Sequence, residues 1–187
     1  LERSGRSRSS ASIPIRTELS SPSVKAQKTW FCVCVMLLCE DGSEDNTYEL
    51  ALENQKNHLN IVLIKNPHNL GLNQTLNNCL VVAKGEYIAR MDGDDLCDPT
   101  RFEKQVKFLD KHPEYAIVSN PMLYFDENGV FGKGSAREGE ASKNVFNYGT
   151  PFCHAPCMVR KEAYDKVGGY TVDKRLLRVE DYELWVK

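Results

Sequence analysis

Tyr87-Ile88-Ala89-Arg90-Met91-Asp92-Gly93-Asp94-Asp95 couples a short apolar run to three carboxylates packed within one turn of chain. The first five residues predict a strand, and the acids fall immediately beyond its carboxyl end. Like charges this close raise one another's pKa or recruit a cation, and hard oxygen ligands suit Mg²⁺ or Mn²⁺. Gly93 allows the backbone to turn sharply there. The competing reading is a solvated turn or a helix N-terminus, because Asp-Gly sequences are common in loops.

Outward from that stretch, strands and helices alternate. Trp30 to Cys39 is a continuous apolar run of the kind buried on both faces of a parallel sheet, and it stops at Glu40-Asp41-Gly42-Ser43. Asp45 and Asn46 are good N-caps for a helix through Tyr48, Ala51 and Leu52, followed by a strand at Ile61 to Ile64. Leu72, Leu76, Cys79, Leu80 and Ala83 mark a second amphipathic helix, with Gly85 expected as its C-cap. Pro99 is placed to open a third helix with Phe102, Val106 and Leu109 as its buried stripe, ended by Pro113. A short strand at Ile117 to Ser119 follows. Asp126-Glu127-Asn128-Gly129 reads as a hairpin turn, and residues 132–149 as a loop with at most one helical turn. The alternation implies an α/β fold with a mostly parallel central sheet and helices on both faces. In such sheets ligands bind beyond the carboxyl ends of the strands, where Glu40-Asp41 and Asp92 to Asp95 both stand.

The chain has 187 residues, enough for one ordinary domain and a tail. A hydrophobic fraction of 41%, a charged fraction of 27% and a net charge of -2 describe a globular protein without the basic excess of a nucleic-acid binder. Residues 1–28 are rich in Ser and Arg and lack apolar periodicity, the composition of a disordered or atypical tail, leaving 29–187 as the folded domain. The apolar run Trp30 to Cys39 is about half of what crosses a bilayer, so neither a transmembrane span nor a signal peptide is expected.

Without a signal peptide the cytoplasm is the expected setting, and seven cysteines, an odd number spread mostly through apolar segments, point to reduced, partly buried thiols. Cys153, His154 and Cys157 resemble half of a zinc site but have no second ligand pair at metal spacing. A helix-loop-helix calcium loop starting at Asp92 fails because its sixth position is Cys97 rather than Gly. No Gly-rich phosphate loop follows any strand, which leaves a metal as the means of holding a phosphate-bearing substrate. A metal-dependent phosphatase of the Asp-x-Asp type stays as the weaker alternative.

Six pieces in order resemble the family 2 glycosyltransferases with the GT-A fold: Glu40-Asp41-Gly42-Ser43-Glu44-Asp45, Asn69-Leu70-Gly71-Leu72, Leu76-Asn77-Asn78-Cys79-Leu80 with Ala83 to Asp95, Pro99-x-Arg101 through His112-Pro113, Pro151-Phe152-Cys153-His154, and Gly168-Gly169-Tyr170 with Glu180-Asp181-Tyr182-Glu183-Leu184-Trp185. The resemblance implies a Rossmann-like GT-A domain that moves a sugar, by inversion, from a nucleotide sugar (a UDP-sugar foremost) to a carbohydrate or lipid-linked acceptor. It places Asp41 on the base or ribose with Glu40 beside it, Asp92 near ribose and metal, and Asp94 on the Mn²⁺ or Mg²⁺ that bridges the diphosphate. Asp95, His154 and Glu180 join the donor-binding set, Arg101 takes a structural part, and Asp181 becomes the base that deprotonates the acceptor. The implied location is the cytoplasm, at or near the inner face of a membrane. The family's opening strand and its Pro-x-Tyr-Asn ending have no counterpart, and the chain stops soon after Asp181. A domain incomplete at both ends, or a non-catalytic nucleotide-binding remnant, is therefore the second expectation.

Overall fold

A computed structural model describes residues 34–93, 95–134, 139–176 and 179–187. The chain builds a βαβ unit first: β1 (Met36–Glu40), α1 (Thr47–Asn57) and β2 (Ile61–Lys65). β1 and β2 pair in parallel, from Met36 opposite Ile61 to Glu40 opposite Lys65. Parallel neighbours need a long crossover, and α1 supplies it, packed on both strands. Asp45 Oδ1 accepts the Thr47 N–H at 3.0 Å at the start of α1, while Asn46 makes no such cap. α2 (Leu72–Val82) then lies on β1 and leads to β3 (Tyr87–Ala89).

α3 (Arg101–Lys111) precedes β4 (Ile117–Val118) and the hairpin of β5 (Leu123–Asp126) and β6 (Gly129–Lys133). Asp126 pairs with Gly129, so Glu127 and Asn128 form the tip, and Gly129 takes a φ of 114° that favours glycine. The hairpin leaves Leu123, Val130 and Phe131 exposed, the last at 70%. After a 3-10 turn at Lys143–Asn147 come β7 (Met158–Arg160), α4 (Lys161–Val167), a second 3-10 turn at Lys174–Leu176 and α5 (Glu180–Val186).

β7 lies between β3 and β4 and is antiparallel to both, so those two strands run parallel to one another on either side of it. The α/β class therefore holds, with an antiparallel strand within the sheet that no periodicity marks, since three residues are too few to show alternation. Tyr164, Tyr170, Cys157, Val159 and Leu184 form the core, with Ile88, Leu76 and Trp185 packed against them.

Three local expectations are corrected. Cys34 and Val35 precede β1 rather than extending it, and residues 30–33 lie outside the described residues. α2 ends at Val82 with an extended Ala83 as its cap, so Gly85 does not close it. The buried face of α3 is Arg101, Gln105 and Leu109, not Phe102 and Val106. That face is polar because it serves backbone carbonyls: Arg101 donates to Arg90 O at 2.7 Å, and Gln105 donates to Pro156 O at 2.7 Å. Buried polar side chains are tolerated when paired in this way.

Candidate active site

The first strand end is a hydrogen-bonded clamp. Buried Glu40 accepts the Ser43 N–H with its carboxylate, holding the turn. Asp41 Oδ1 accepts from Leu70 N at 2.8 Å and Asn66 Nδ2 at 2.9 Å, and Oδ2 accepts from Gly71 N at 3.0 Å. One carboxylate thus ties the end of β1 to the amides that open α2. Gly42, at φ 76°, lets the chain pass under that loop: a Cβ there would stand 2.5 Å from Asn69 N. Fully buried Asn66 completes the clamp through Asn78 and Thr75.

The second strand end carries the acidic turn. Asp95 N–H donates to Asp92 O at 3.2 Å, and the half-buried Asp92 carboxylate accepts from Arg90 Nη2 at 2.8 Å through Oδ1. Asp94 lies outside the described residues. Thr100, not Asp95, is the residue before α3, so Asp95 does not cap that helix. A cavity of about 150 Å³ opens beside the turn, walled by Asp95, Leu96, Asn120, Leu123 and Pro156.

His154 faces inward. It is 8% exposed, its Nε2 stands 2.8 Å from the Tyr170 hydroxyl, and that hydroxyl is 3.2 Å from the Tyr164 hydroxyl. Burial, assisted by the positive charge of Arg90, pushes its pKa down to about 3, so the ring is neutral at ordinary pH. Trp185 meets the imidazole edge-on with centroids 5.5 Å apart. Trp185 belongs to α5, whose first turn carries Glu180 and Asp181. Asp181 Oδ1 accepts the Tyr182 N–H at 2.7 Å, and Tyr182 OH donates to Phe146 O at 2.6 Å, which ties α5 to the 3-10 turn at Lys143–Asn147.

Partial burial raises the Cys153 thiol pKa, and the negative charges of Asp181, Asp95 and Asp92 each add to that rise. Asp41, by contrast, is engaged with the start of α2. Among the described residues no group of three His, Cys, Asp or Glu side chains forms a metal cage. Two carboxylates on a tight turn nevertheless fit Mg²⁺ or Mn²⁺, which take one or two protein carboxylates when phosphate oxygens complete the shell. Zinc has no support at Cys153 to Cys157: His154 is engaged by Tyr170, and Cys157 Sγ–H donates to Cys153 O.

Sequence reasoning passed over Arg90, Asn66, Tyr170 and Asn77. The signal for Asn77 was its place in a motif; its amide brackets Tyr170, donating to Tyr170 O at 2.8 Å and accepting Tyr170 N–H at 2.9 Å. Gly169 beside it has no room for a Cβ, which would meet Asn77 Oδ1 at 2.6 Å.

The family model described as Glycosyl transferase family 2 matches residues 23–168. EpsE of Bacillus subtilis, named as a glycosyltransferase, is 43% identical over 153 residues, spanning 81% of this chain and 55% of its own length. The amylovoran biosynthesis glycosyltransferase AmsE of Erwinia amylovora is 31% identical over 155 residues, 81% of this chain and 56% of its own. The chain thus spans about half the length of these relatives. The mannosyltransferase PcManGT of Pyrobaculum calidifontis, solved with GDP-Man and Mn²⁺, superposes with a TM-score of 0.55 at 20% identity, over 74% of this chain and 39% of that one, a likeness of fold. Both strand ends and the acidic turn lie inside the matched stretch, and this chain belongs to glycosyl transferase family 2.

Proposed function

We propose that this chain carries the donor site and base of an inverting glycosyltransferase that moves a sugar from a nucleotide sugar, a UDP-sugar foremost, to a carbohydrate or lipid-linked acceptor in polysaccharide or glycoconjugate biosynthesis. The observation that carries the reading is the acidic turn beyond β3, where Arg90 grips the Asp92 carboxylate at 2.8 Å and the Asp95 N–H closes on Asp92 O at 3.2 Å, beside a cavity that Asp95 lines. An acidic turn for the donor's diphosphate and a separate carboxylate base on the opposite face of the sugar are what such a transfer requires.

Asp41, with Glu40 holding its turn, takes the nucleoside end of the donor. Asp94 and Asp92 hold Mn²⁺ or Mg²⁺, which supplies positive charge to the diphosphate as it departs. Asp95 and Glu180 border the donor, and His154 shapes the floor as a neutral ring. Asp181 accepts the proton of the acceptor hydroxyl while that oxygen bonds to the anomeric carbon. The bond from that carbon to the diphosphate oxygen breaks, its electron pair leaving with the nucleotide. Attack from the face opposite the leaving group inverts the centre. The absence of any helix long and apolar enough to cross a membrane, among the described residues, is compatible with a chain that meets a lipid-linked acceptor at the membrane surface, on the cytoplasmic side.

The test is nucleoside diphosphate release from UDP- and GDP-sugars with Mn²⁺, alongside melting temperature with each nucleotide, with and without the metal. Release is expected with one donor class, abolished by Asp94→Ala and lowered roughly 100-fold or more by Asp181→Asn. Undiminished turnover in Asp94→Ala would remove the metal role. Metal-dependent nucleotide binding without turnover identifies a non-catalytic remnant, and phosphate release from simple esters a phosphatase.

A further inference from the structure

We propose that Arg90 is the positioning residue of the acidic turn, holding the Asp92 carboxylate by one oxygen so that the other is presented to the divalent ion. The proposal rests on the metal-dependent donor site set out above, and it assigns that site a supporting cation.

The geometry begins at the end of β3. Ile88 packs into the core, and Arg90 is the first residue beyond the strand. The backbone of Arg90 is fixed on both sides: its N–H donates to Cys157 O at 2.9 Å and its carbonyl accepts from Arg101 at 2.7 Å. The root of the side chain is therefore immobile, and the chain beyond it is only 12% exposed. Nη2 reaches Asp92 Oδ1 at 2.8 Å. Nε is buried and has no partner among the described residues.

A guanidinium so enclosed is costly. Burying a cation demands compensation, and a paired apolar substitute is often as stable as a buried ion pair. With one carboxylate 40% exposed as its ion-pair partner and an orphaned Nε, Arg90 is poorly explained as a stabilising residue of the core. It is well explained as a support for a ligand. Carboxylates that bind metals are themselves hydrogen-bonded from behind, and loss of such a partner typically costs 10- to 100-fold in metal affinity. Arg90 engages that carboxylate through Oδ1 at 2.8 Å.

Mn²⁺ binding, followed by electron paramagnetic resonance in the presence of UDP, tests this without requiring turnover. Arg90→Met is expected to weaken Mn²⁺ binding by roughly 10- to 100-fold. Arg90→Lys should recover part of the loss, because it keeps the charge but not the planar fork. Because Arg90 acts through Asp92, adding Arg90→Met to Asp92→Asn should cause no further weakening, a result that general loosening of the core would not produce. Equal Mn²⁺ affinity in wild type and Arg90→Met, or fully additive losses in the double variant, overturns the proposal while leaving the donor site intact. If Arg90→Met fails to fold, Arg90→Lys alone decides, by a several-fold weakening or its absence. Failure of wild type to bind Mn²⁺ with UDP or GDP brings down the donor-site reading and this one with it.

Discussion

His154, enclosed by Tyr170 and Trp185 and facing the charge of Arg90, is held neutral with its pKa pushed down to about 3. Between that value and the ordinary histidine value near 6.5 the unfolded chain binds a proton that the folded chain refuses. The contribution of the neutral ring to stability is complete above about pH 6.5 and is lost as pH falls toward 3, at a slope approaching about 1.4 kcal/mol per pH unit. His154→Gln keeps a partner for the Tyr170 hydroxyl but cannot titrate. Its urea midpoint is expected to fall less steeply than that of the wild type between pH 6 and pH 4, as fluorescence-monitored unfolding at each pH would reveal. From sequence, the resemblance put this histidine in the donor-binding set, and nothing local to Pro151-Phe152-Cys153-His154 names Tyr170, sixteen residues away, as its partner.

At the scale of elements, the motifs prove to be halves of contacts. Asn77 on α2 and Gly169-Tyr170 before α5 are separate pieces of sequence, yet one amide closes both hydrogen bonds of the Tyr170 backbone. Removing it strands a buried N–H and a carbonyl together, so Asn77→Ala is expected to destabilise the protein by roughly 2 kcal/mol. Chemical denaturation would register this as a lower midpoint with an unchanged slope. β1, α1, β2, α2 and α3 were legible because each has an apolar run or period long enough to read. The polar face of α3 was not, since Arg101 and Gln105 are buried for the sake of carbonyls on Arg90 and Pro156 that only the assembled fold brings near. β7 escaped for its brevity.

At the scale of the molecule, the order of six short motifs was enough to indicate the family and the α/β architecture, whereas the mutual placement of its acids was not. The resemblance cast Asp41 as a ligand-facing residue; in the fold its carboxylate joins the end of β1 to the start of α2. Arg90 was hidden in plain view inside the decisive stretch, because a strand's alternation gives the face a side chain occupies but not the charge waiting there.

The β5–β6 hairpin has a practical consequence. Leu123, Val130 and Phe131 stand on a two-stranded ribbon, exposed at 58%, 65% and 70%. An apolar ribbon with unpaired edges invites a second ribbon to add alongside it. Concentrated solutions of this chain should scatter light at protein levels where Val130→Lys stays clear, and dynamic light scattering across a dilution series would measure the difference. Colloidal behaviour in the test tube is what that small surface governs.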